Sequence, residues 1–210
     1  MSTHIYFDLD GTLTDPYDGI TRSILYALEH FDVPSPGHAE LAGYIGPGLR
    51  DTFRDLVGAA NVEHALALYR ERYSQIGWRE NTPYDGIHNV LESIAAAGHT
   101  LFVATAKPHL FATKIIEHFK MAKYFTAIYG CELDGTRGDK TELLGWAIPQ
   151  HSASERTIMV GDRIHDIVAA RNNQMDTIGV AYGYGSVDEL VGAGASRIVY
   201  KPEELPAVLL

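Results

Sequence analysis

His4-Ile5-Tyr6-Phe7-Asp8-Leu9-Asp10-Gly11-Thr12-Leu13-Thr14-Asp15 sets the frame for the whole chain. A short β-rich run, His4 to Phe7, leads straight into an acidic turn. Such a run, without sustained polar alternation, reads as a buried parallel strand. Open α/β sheets hold their ligands at the carboxyl ends of such strands, so Asp8 and Asp10 stand where chemistry is expected. Gly11 has no Cβ, which lets the chain turn sharply after the strand and lets backbone amides approach an anion.

Similar runs return much later: Thr100-Leu101-Phe102-Val103-Ala104, Thr126-Ala127-Ile128-Tyr129, Thr157-Ile158-Met159-Val160, Thr177-Ile178-Gly179-Val180-Ala181 and the weaker Arg197-Ile198-Val199-Tyr200. Helical periods lie between them. Ile87, Val90, Leu91 and Ile94 share one face; so do Leu143, Leu144, Ala147 and Ile148, and then Ile164, Ile167, Val168 and Arg171. Strands alternating with single helices imply βαβ units and a parallel sheet.

The stretch from about Asp15 to Pro83 lacks a convincing strand. It shows the stripes Ile20/Ile24/Leu25/Leu28/Phe31, Leu49/Phe53/Leu56/Val57 and Ala65/Leu66/Leu68/Tyr69/Tyr73, punctuated by turns at Pro34-Ser35-Pro36-Gly37 and Gly46-Pro47-Gly48. The expected fold class is therefore α/β: a doubly wound, mostly parallel Rossmann-like core from residues 1–15 and 83–210, with a helical-bundle cap inserted at 16–82.

Composition narrows the setting. With 210 residues, 46% hydrophobic and 21% charged, the chain is long enough for a core without staples. Its formal charge of −10 and lack of a basic run argue against nucleic acid or anionic lipid as partners. A single cysteine, Cys131, allows no internal disulfide and fits a reducing, cytoplasmic location. The Met1-Ser2-Thr3-His4 start lacks the features of a secretory leader, and no apolar run approaches a membrane span. An anionic substrate would need local positive groups or a bound cation.

Four segments carry the chemistry, each at the carboxyl end of an expected strand: Asp8 to Asp15, Thr105-Ala106-Lys107-Pro108, Lys140 after Gly138-Asp139, and Gly161-Asp162-Arg163-Ile164-His165-Asp166. A phosphate monoester resists attack because an anionic nucleophile must approach a dianion. A carboxylate nucleophile such as Asp8 needs a metal to relieve that repulsion. Mg²⁺ accepts oxygen ligands and keeps waters, so Asp8, Asp10 and Asp162, with a backbone carbonyl among the oxygens, suit it. Lys140 offers a point positive charge to the transferring group, Thr105 a hydroxyl donor, and Gly11 and Ala106 backbone contacts. Asp10, two residues past Asp8, can protonate a leaving oxygen and then activate water.

These segments resemble the four signatures of the haloacid dehalogenase-like hydrolase superfamily, in order and over nearly the whole chain. The resemblance implies Asp8 as nucleophile, Asp10 as acid/base, Asp166 as support for the lysine or a metal-bound water, and a cap loop that selects substrate. Asp10 separates the chain from dehalogenases, which lack an Asp there, and from cation pumps, which carry Lys-Thr after the nucleophile. Ala104-Thr105-Ala106-Lys107-Pro108, Gly161-Asp162-Arg163 and Tyr182-Gly183-Tyr184-Gly185-Ser186 look most like the phosphoglycolate phosphatase-like and 5′-nucleotidase-like group. Expected partners are thus a small phosphorylated metabolite, no nucleic acid and no membrane, for a monomer or homodimer. Within the Tyr44-to-Arg50 segment, Gly46 and Arg50 are the specificity candidates, with Tyr17 and Arg22 weaker ones. The implied activity is Mg²⁺-dependent monoester hydrolysis; a β-phosphoglucomutase-type mutase or a non-catalytic protein on the same fold are the alternatives.

Blander readings stand beside these. An isolated Asp-x-Asp-Gly also fits a turn or calcium loop. Lys140 alone reads as a solvated side chain, Arg50 as a surface residue near a helix start, and Asp166 as a favourable charge at a helix N-terminus. Thr105 also suits an N-cap. Lys107 is expected on a loop without contact to phosphate, and Asp15 as a hinge or turn residue. Arg163 either alters charge near the metal or points outward. The ten histidines show no paired spacing suited to zinc.

Overall fold

The computed structural model describes residues 3–209; the Met1-Ser2 part of the leader reading lies outside them. The chain divides into two compact units, residues 1–15 with 83–210 and residues 16–82. In chain order the strands are β1 (His4–Phe7), the two-residue β2 (Thr14–Asp15) and β3 (Thr82–Pro83), β4 (Thr100–Pro108), β5 (Phe125–Cys131), β6 (Thr157–Gly161), β7 (Asp176–Val180) and β8 (Arg197–Val199). Helices α1 (Tyr17–Leu28), α2 (His38–Gly43), α3 (Leu49–Val57) and α4 (Val62–Gln75) belong to the smaller unit. Helices α5 (Ile87–Ala96), α6 (His109–His118), α7 (Lys140–Ala147), α8 (Ile164–Asn172), α9 (Val187–Ala193) and α10 (Leu205–Leu209) belong to the larger one.

The larger unit holds a six-stranded sheet in the order β5-β4-β1-β6-β7-β8, with every pairing parallel. Strand β1 lies between β4 and β6, with His4 opposite Thr100 on one side and Thr157 on the other. From β1 the chain builds outward through β4 to β5, then returns to place β6 on the opposite flank. Strand order thus reverses at β1, and the carboxyl ends of β1 and β6 frame the crevice where such sheets take ligands. Strand β4 runs further than its sequence run implies, to Pro108, with a register break between Thr105 and Pro108 that frees the backbone around Lys107.

All four β1 residues are buried. Tyr6 stacks on Phe102 at 4.6 Å between ring centroids, and both pack with Met159 against Leu143, Leu144 and Ala147 of α7 and Ala169 and Ala170 of α8. Burial on this scale is what binds a two-sided parallel sheet; cutting Phe102 to Ala would cost about 3–5 kcal/mol. Helix α5 buries the expected Ile87, Val90, Leu91 and Ile94. Helix α7 buries Leu143, Leu144 and Ala147, while Ile148 falls in a following 3-10 turn that contains Pro149.

Helix α8 departs from the apolar period. Ile164 and Val168 are exposed, and the buried face is Asp166, Ile167, Ala169 and Ala170. Small alanines let the helix close on the sheet, and Asp166 turns inward because Lys140 awaits it there.

In the smaller unit the expected stripes become α1, α3 and α4. Ile20, Ile24 and Leu28 are buried in α1, Phe53 and Val57 in α3, and Ala65, Leu66, Tyr69 and Tyr73 in α4. Phe31 falls beyond α1, which ends at Leu28, and α2 is a short helix that the punctuated stretch around Pro34–Gly37 did not announce. The backbone at Gly19 comes so close to Gly77 that a Cβ there would stand 2.1 Å from the Gly77 carbonyl oxygen. Beside this contact Arg72 clamps Glu80 through hydrogen bonds of 2.7 and 3.0 Å. No helix among the described residues is long and apolar enough to cross a membrane.

Candidate active site

The chain leaves β1 by wrapping around one carbonyl. The Leu9 oxygen accepts from the amides of Thr12, Leu13 and Thr14, and the Gly11 amide donates to the Thr14 oxygen at 2.8 Å. Gly11 sits at φ +83°, where a Cβ would also stand 2.2 Å from Asp162 Oδ2. Glycine is required here on two counts, backbone conformation and the close approach of Asp162. The tight loop presents Asp8 and Asp10 at the strand end, and the Asp8 amide donates to the Val160 oxygen on β6 at 2.9 Å.

Asp162 follows β6 and is fully buried. It accepts from the Tyr184 amide at 2.8 Å, while the Thr12 hydroxyl reaches its other oxygen at 3.4 Å. Asp166, one helical turn on, accepts from the Arg163 amide at 2.9 Å. It therefore does serve the helix start. Its other oxygen meets Lys140 Nζ, which also lies 3.0 Å from Asp8 Oδ1. Lys140 stands not at a strand end, since β5 stops at Cys131, but at the start of α7, where the preceding Asp139 caps the helix by accepting from the Glu142 amide. Thus Lys140 is no solvated surface lysine: it is buried and bridges two carboxylates.

Oxygen atoms of Asp8, Asp162 and Asp166 lie within 4.8 Å of one another. Asp10 is not part of that triad; its Oδ2 pairs with Lys107 Nζ at 2.7 Å. Lys107, expected on a loop without contact to phosphate, lies within β4 and is buried, with its ammonium on the acid/base candidate. Its own amide donates to the Thr105 hydroxyl at 3.2 Å, so Thr105, also buried, shapes the turn rather than capping α6. Ala106 is exposed, and its carbonyl accepts from Cys131 Sγ at 3.0 Å. Arg163 turns toward α9, where its Nε donates to Glu189 at 3.0 Å.

Electrostatics follow from burial. Asp162 is pushed well up from the ordinary carboxylate value by burial, reinforced by Asp166 and Asp8. Asp166 is pushed up to about 6 by burial, against the pull of Lys140. Burial also raises Asp10, with Lys107 opposing. Burial alone would lower Lys140, but Asp166 and Asp8 outweigh it and hold the ammonium above its usual range. Four carboxylates face two ammonium groups, Lys107 and Lys140, which leaves a formal charge of −2 when all are ionised. Asp8 Oδ1 and Asp10 Oδ1 are buried and accept no hydrogen bond of sound geometry. A hard divalent cation fits this donor set: it matches the residual charge and the oxygen chemistry.

The Tyr182-to-Ser186 loop, which in the sequence carries only the family resemblance, lies against the buried carboxylates. Residues Tyr182 to Gly185 pack directly on Asp162. A Cβ on Gly183 would stand 2.3 Å from the Gly11 oxygen, and one on Gly185 2.0 Å from the Asp162 oxygen. The Tyr182 hydroxyl donates to the Thr12 oxygen at 3.0 Å, and the Tyr184 hydroxyl to Asp15. Asp15 is therefore tied to this loop. The sequence signal was the glycine spacing, Gly183 and Gly185, beside two tyrosines.

The sequence matches the haloacid dehalogenase-like hydrolase family over residues 5–180. The chain belongs to that family. Among haloacid dehalogenase-like relatives, a 5′-nucleotidase of Pseudomonas aeruginosa is 47% identical over 190 residues, covering 89% of this chain and 86% of that one. The tyrosine-protein kinase PtkA of Mycobacterium tuberculosis is 41% identical over 186 residues, 88% of this chain; the match spans 64% of the kinase's length. The crystal structure of a predicted phosphatase from Clostridium acetobutylicum superposes with a TM-score of 0.93 at 39% identity, covering 100% of this chain and 98% of that one. Family membership and the likeness to the 5′-nucleotidase and the phosphatase place the chain among the phosphoric monoester hydrolases.

The specificity candidates belong to the smaller unit. Gly46 occupies a left-handed turn at φ +104°. Arg50, on α3, is exposed and pairs with Glu63 on α4. Tyr17 stacks on His38, and Arg22 pairs with Asp18 and Glu80.

Proposed function

We propose that the chain hydrolyses a small phosphate monoester in two phosphoryl transfers, with Asp8 as nucleophile and Asp10 as acid and then base. An Asp8 oxygen attacks phosphorus; the bond to the alcohol oxygen breaks, and that oxygen leaves with the electron pair and takes the Asp10 proton. Asp10, now a carboxylate, accepts a proton from a water whose oxygen attacks the aspartyl phosphate. The bond to Asp8 then breaks, which frees phosphate and restores both carboxyl groups.

Lys140 and Thr105 bind the transferring group, with Gly11 and Ala106 offering backbone contacts. Asp166 holds Lys140 in place. Asp8, Asp162 and the Asp10 backbone carbonyl would hold Mg²⁺, which when bound supplies positive charge to the phosphoryl oxygens. The Asp10 side chain is left out of this ligand set because Lys107 engages it. Gly46 and Arg50 select the substrate from the cap, as the resemblance implies. A nucleoside monophosphate and phosphoglycolate are the leading substrates, the first supported by the 47% identical 5′-nucleotidase. The protein acts as a monomer or homodimer on a free metabolite, without a nucleic-acid or membrane partner.

The observation that carries this reading is the buried Asp8–Lys140–Asp166 bridge with Asp162 beside it, drawn from the ends of β1 and β6 and the starts of α7 and α8. Its test is phosphate release from an aryl phosphate with Mg²⁺ by wild type and Asp8→Asn. Release by wild type alone supports the reading; an inactive wild type, or an active variant, ends it. Release from a sugar phosphate without any bisphosphate activator separates hydrolase from mutase.

A further inference from the structure

Lys107 is buried, charged and unused by the steps above. Its Nζ takes Asp10 Oδ2 at 2.7 Å, while Asp10 Oδ1 is buried without a hydrogen bond. The two oxygens of one carboxyl group are thereby made unequal. Several features hold the lysine in place. Its amide donates to the Thr105 hydroxyl, and its carbonyl oxygen lies so near Gly130 that a Cβ there would stand 2.5 Å away. The register break between Thr105 and Pro108 is what lets β4 present Lys107 at this spot.

The geometry points to Lys107 as a positioning residue for the acid/base: by occupying Asp10 Oδ2 it fixes the carboxyl group so that Oδ1 is the atom that carries the proton. The same contact keeps the Asp10 side chain out of the Asp8–Asp162–Asp166 triad. Asp8 and Asp10 sit two residues apart, and a freely rotating Asp10 could swing toward that triad instead of facing the leaving group. This inference rests on the acid/base role proposed for Asp10.

The test compares Lys107→Met and Lys107→Arg with wild type on two esters. One is p-nitrophenyl phosphate, whose phenolate leaves without a proton; the other is an alkyl phosphate, whose alkoxide needs one. The quantity is kcat/KM, which covers the steps through loss of the leaving group. Proton transfer by a positioned side chain is worth roughly 10²–10⁴-fold. Lys107→Met is expected to lower kcat/KM for the alkyl ester at least ~10-fold more than for the aryl ester, and Lys107→Arg to restore part of the difference. An equal loss on both esters would mean that Lys107 binds the phosphoryl group or only supports the fold, and either overturns the inference. Should Lys107→Met not fold, the same comparison is read from Lys107→Arg alone, with a loss on the alkyl ester larger than on the aryl ester expected and an equal loss on both contradicting it. Asp8→Asn is run beside them: activity in that variant, or none in wild type, overturns the proposed function and this inference together. Uniform loss at Lys107 with an inactive Asp8→Asn overturns this inference alone.

Discussion

Alanine at Gly11 is the sharpest perturbation of the site, because a matched control exists in the same chain. Gly11 and Gly98 have nearly the same backbone, φ +83° and +88°. A Cβ on Gly98 would meet nothing within 4 Å, whereas one on Gly11 would stand 2.2 Å from Asp162 Oδ2. Both substitutions force a left-handed residue to carry a side chain, at about 1–2 kcal/mol. Gly98→Ala should show only that, a fall in Tm of about 2–8 °C for a chain of this length. Gly11→Ala adds a contact more than 1 Å too short, and overpacking of this kind costs about a further 1–3 kcal/mol. The relief must come from Asp162, which is held by the 2.8 Å bond from the Tyr184 amide and the 3.4 Å bond from the Thr12 hydroxyl. Displacement of a reacting group by about 1 Å costs roughly 10²-fold in rate. The assay pairs thermal melts with kcat/KM for p-nitrophenyl phosphate at several Mg²⁺ concentrations. Expected are normal activity in Gly98→Ala, and in Gly11→Ala a loss near 10²-fold together with Mg²⁺ affinity weakened about 10–100-fold. Equal melting shifts in the two variants, or wild-type activity in Gly11→Ala, would refute the claim that Asp162 is pressed against this turn for a purpose.

Lys140→Met leaves Asp8 and Asp166 facing each other without a cation; unfolding by urea should show a loss of about 3–5 kcal/mol, and the double variant with Asp166→Asn should regain part of that stability but no activity. Asp166 is pushed up to about 6, from an ordinary value of 3.8, chiefly by burial. The folded, metal-free protein therefore binds the extra proton between those values, so its stability falls as pH rises through that window. Asp166→Asn should flatten this part of a urea-stability profile. Mg²⁺ affinity, measured by calorimetry, should rise over the same window as the cation no longer competes with protons. Arg50→Ala, which removes an exposed partner of Glu63, should leave p-nitrophenyl phosphate turnover unchanged and raise KM for substrates that carry a second anion; no change in KM for any substrate would remove Arg50 from substrate selection.

Much of the fold was legible because buried parallel strands announce themselves as apolar runs. The run at β1 and the four clear runs after it recur in the structure within a few residues. Helix α8 differs in detail: apolar spacing points Ile164 and Val168 inward, but a buried ion pair overrides it and turns Asp166 to the core. Periodicity measures hydrophobicity, and it cannot register an acid whose burial is stabilised by a lysine 26 residues away. The principal acids and Lys140 were legible from local motifs, and the structure draws Asp8, Asp162, Asp166 and Lys140 together. What the sequence could not convey is pairing at long range. The contact of Lys107 with Asp10 spans β4 and β1, and the packing of Gly183 and Gly185 on Asp162 brings the loop after β7 into the site as well. Glycines valued for what they leave out, such as Gly185 under the Asp162 carbonyl, look in a sequence like any loop glycine.

The decisive measurement is a crystal structure with Mg²⁺ and beryllium trifluoride, a mimic of a phosphoryl group bound to a carboxylate. The expected result is beryllium bonded to an Asp8 oxygen, with one Mg²⁺ held by the carboxylates of Asp8 and Asp162 and Lys140 Nζ on a fluorine. Beryllium bonded to any other residue, or a magnesium ion that does not touch Asp162, would contradict it.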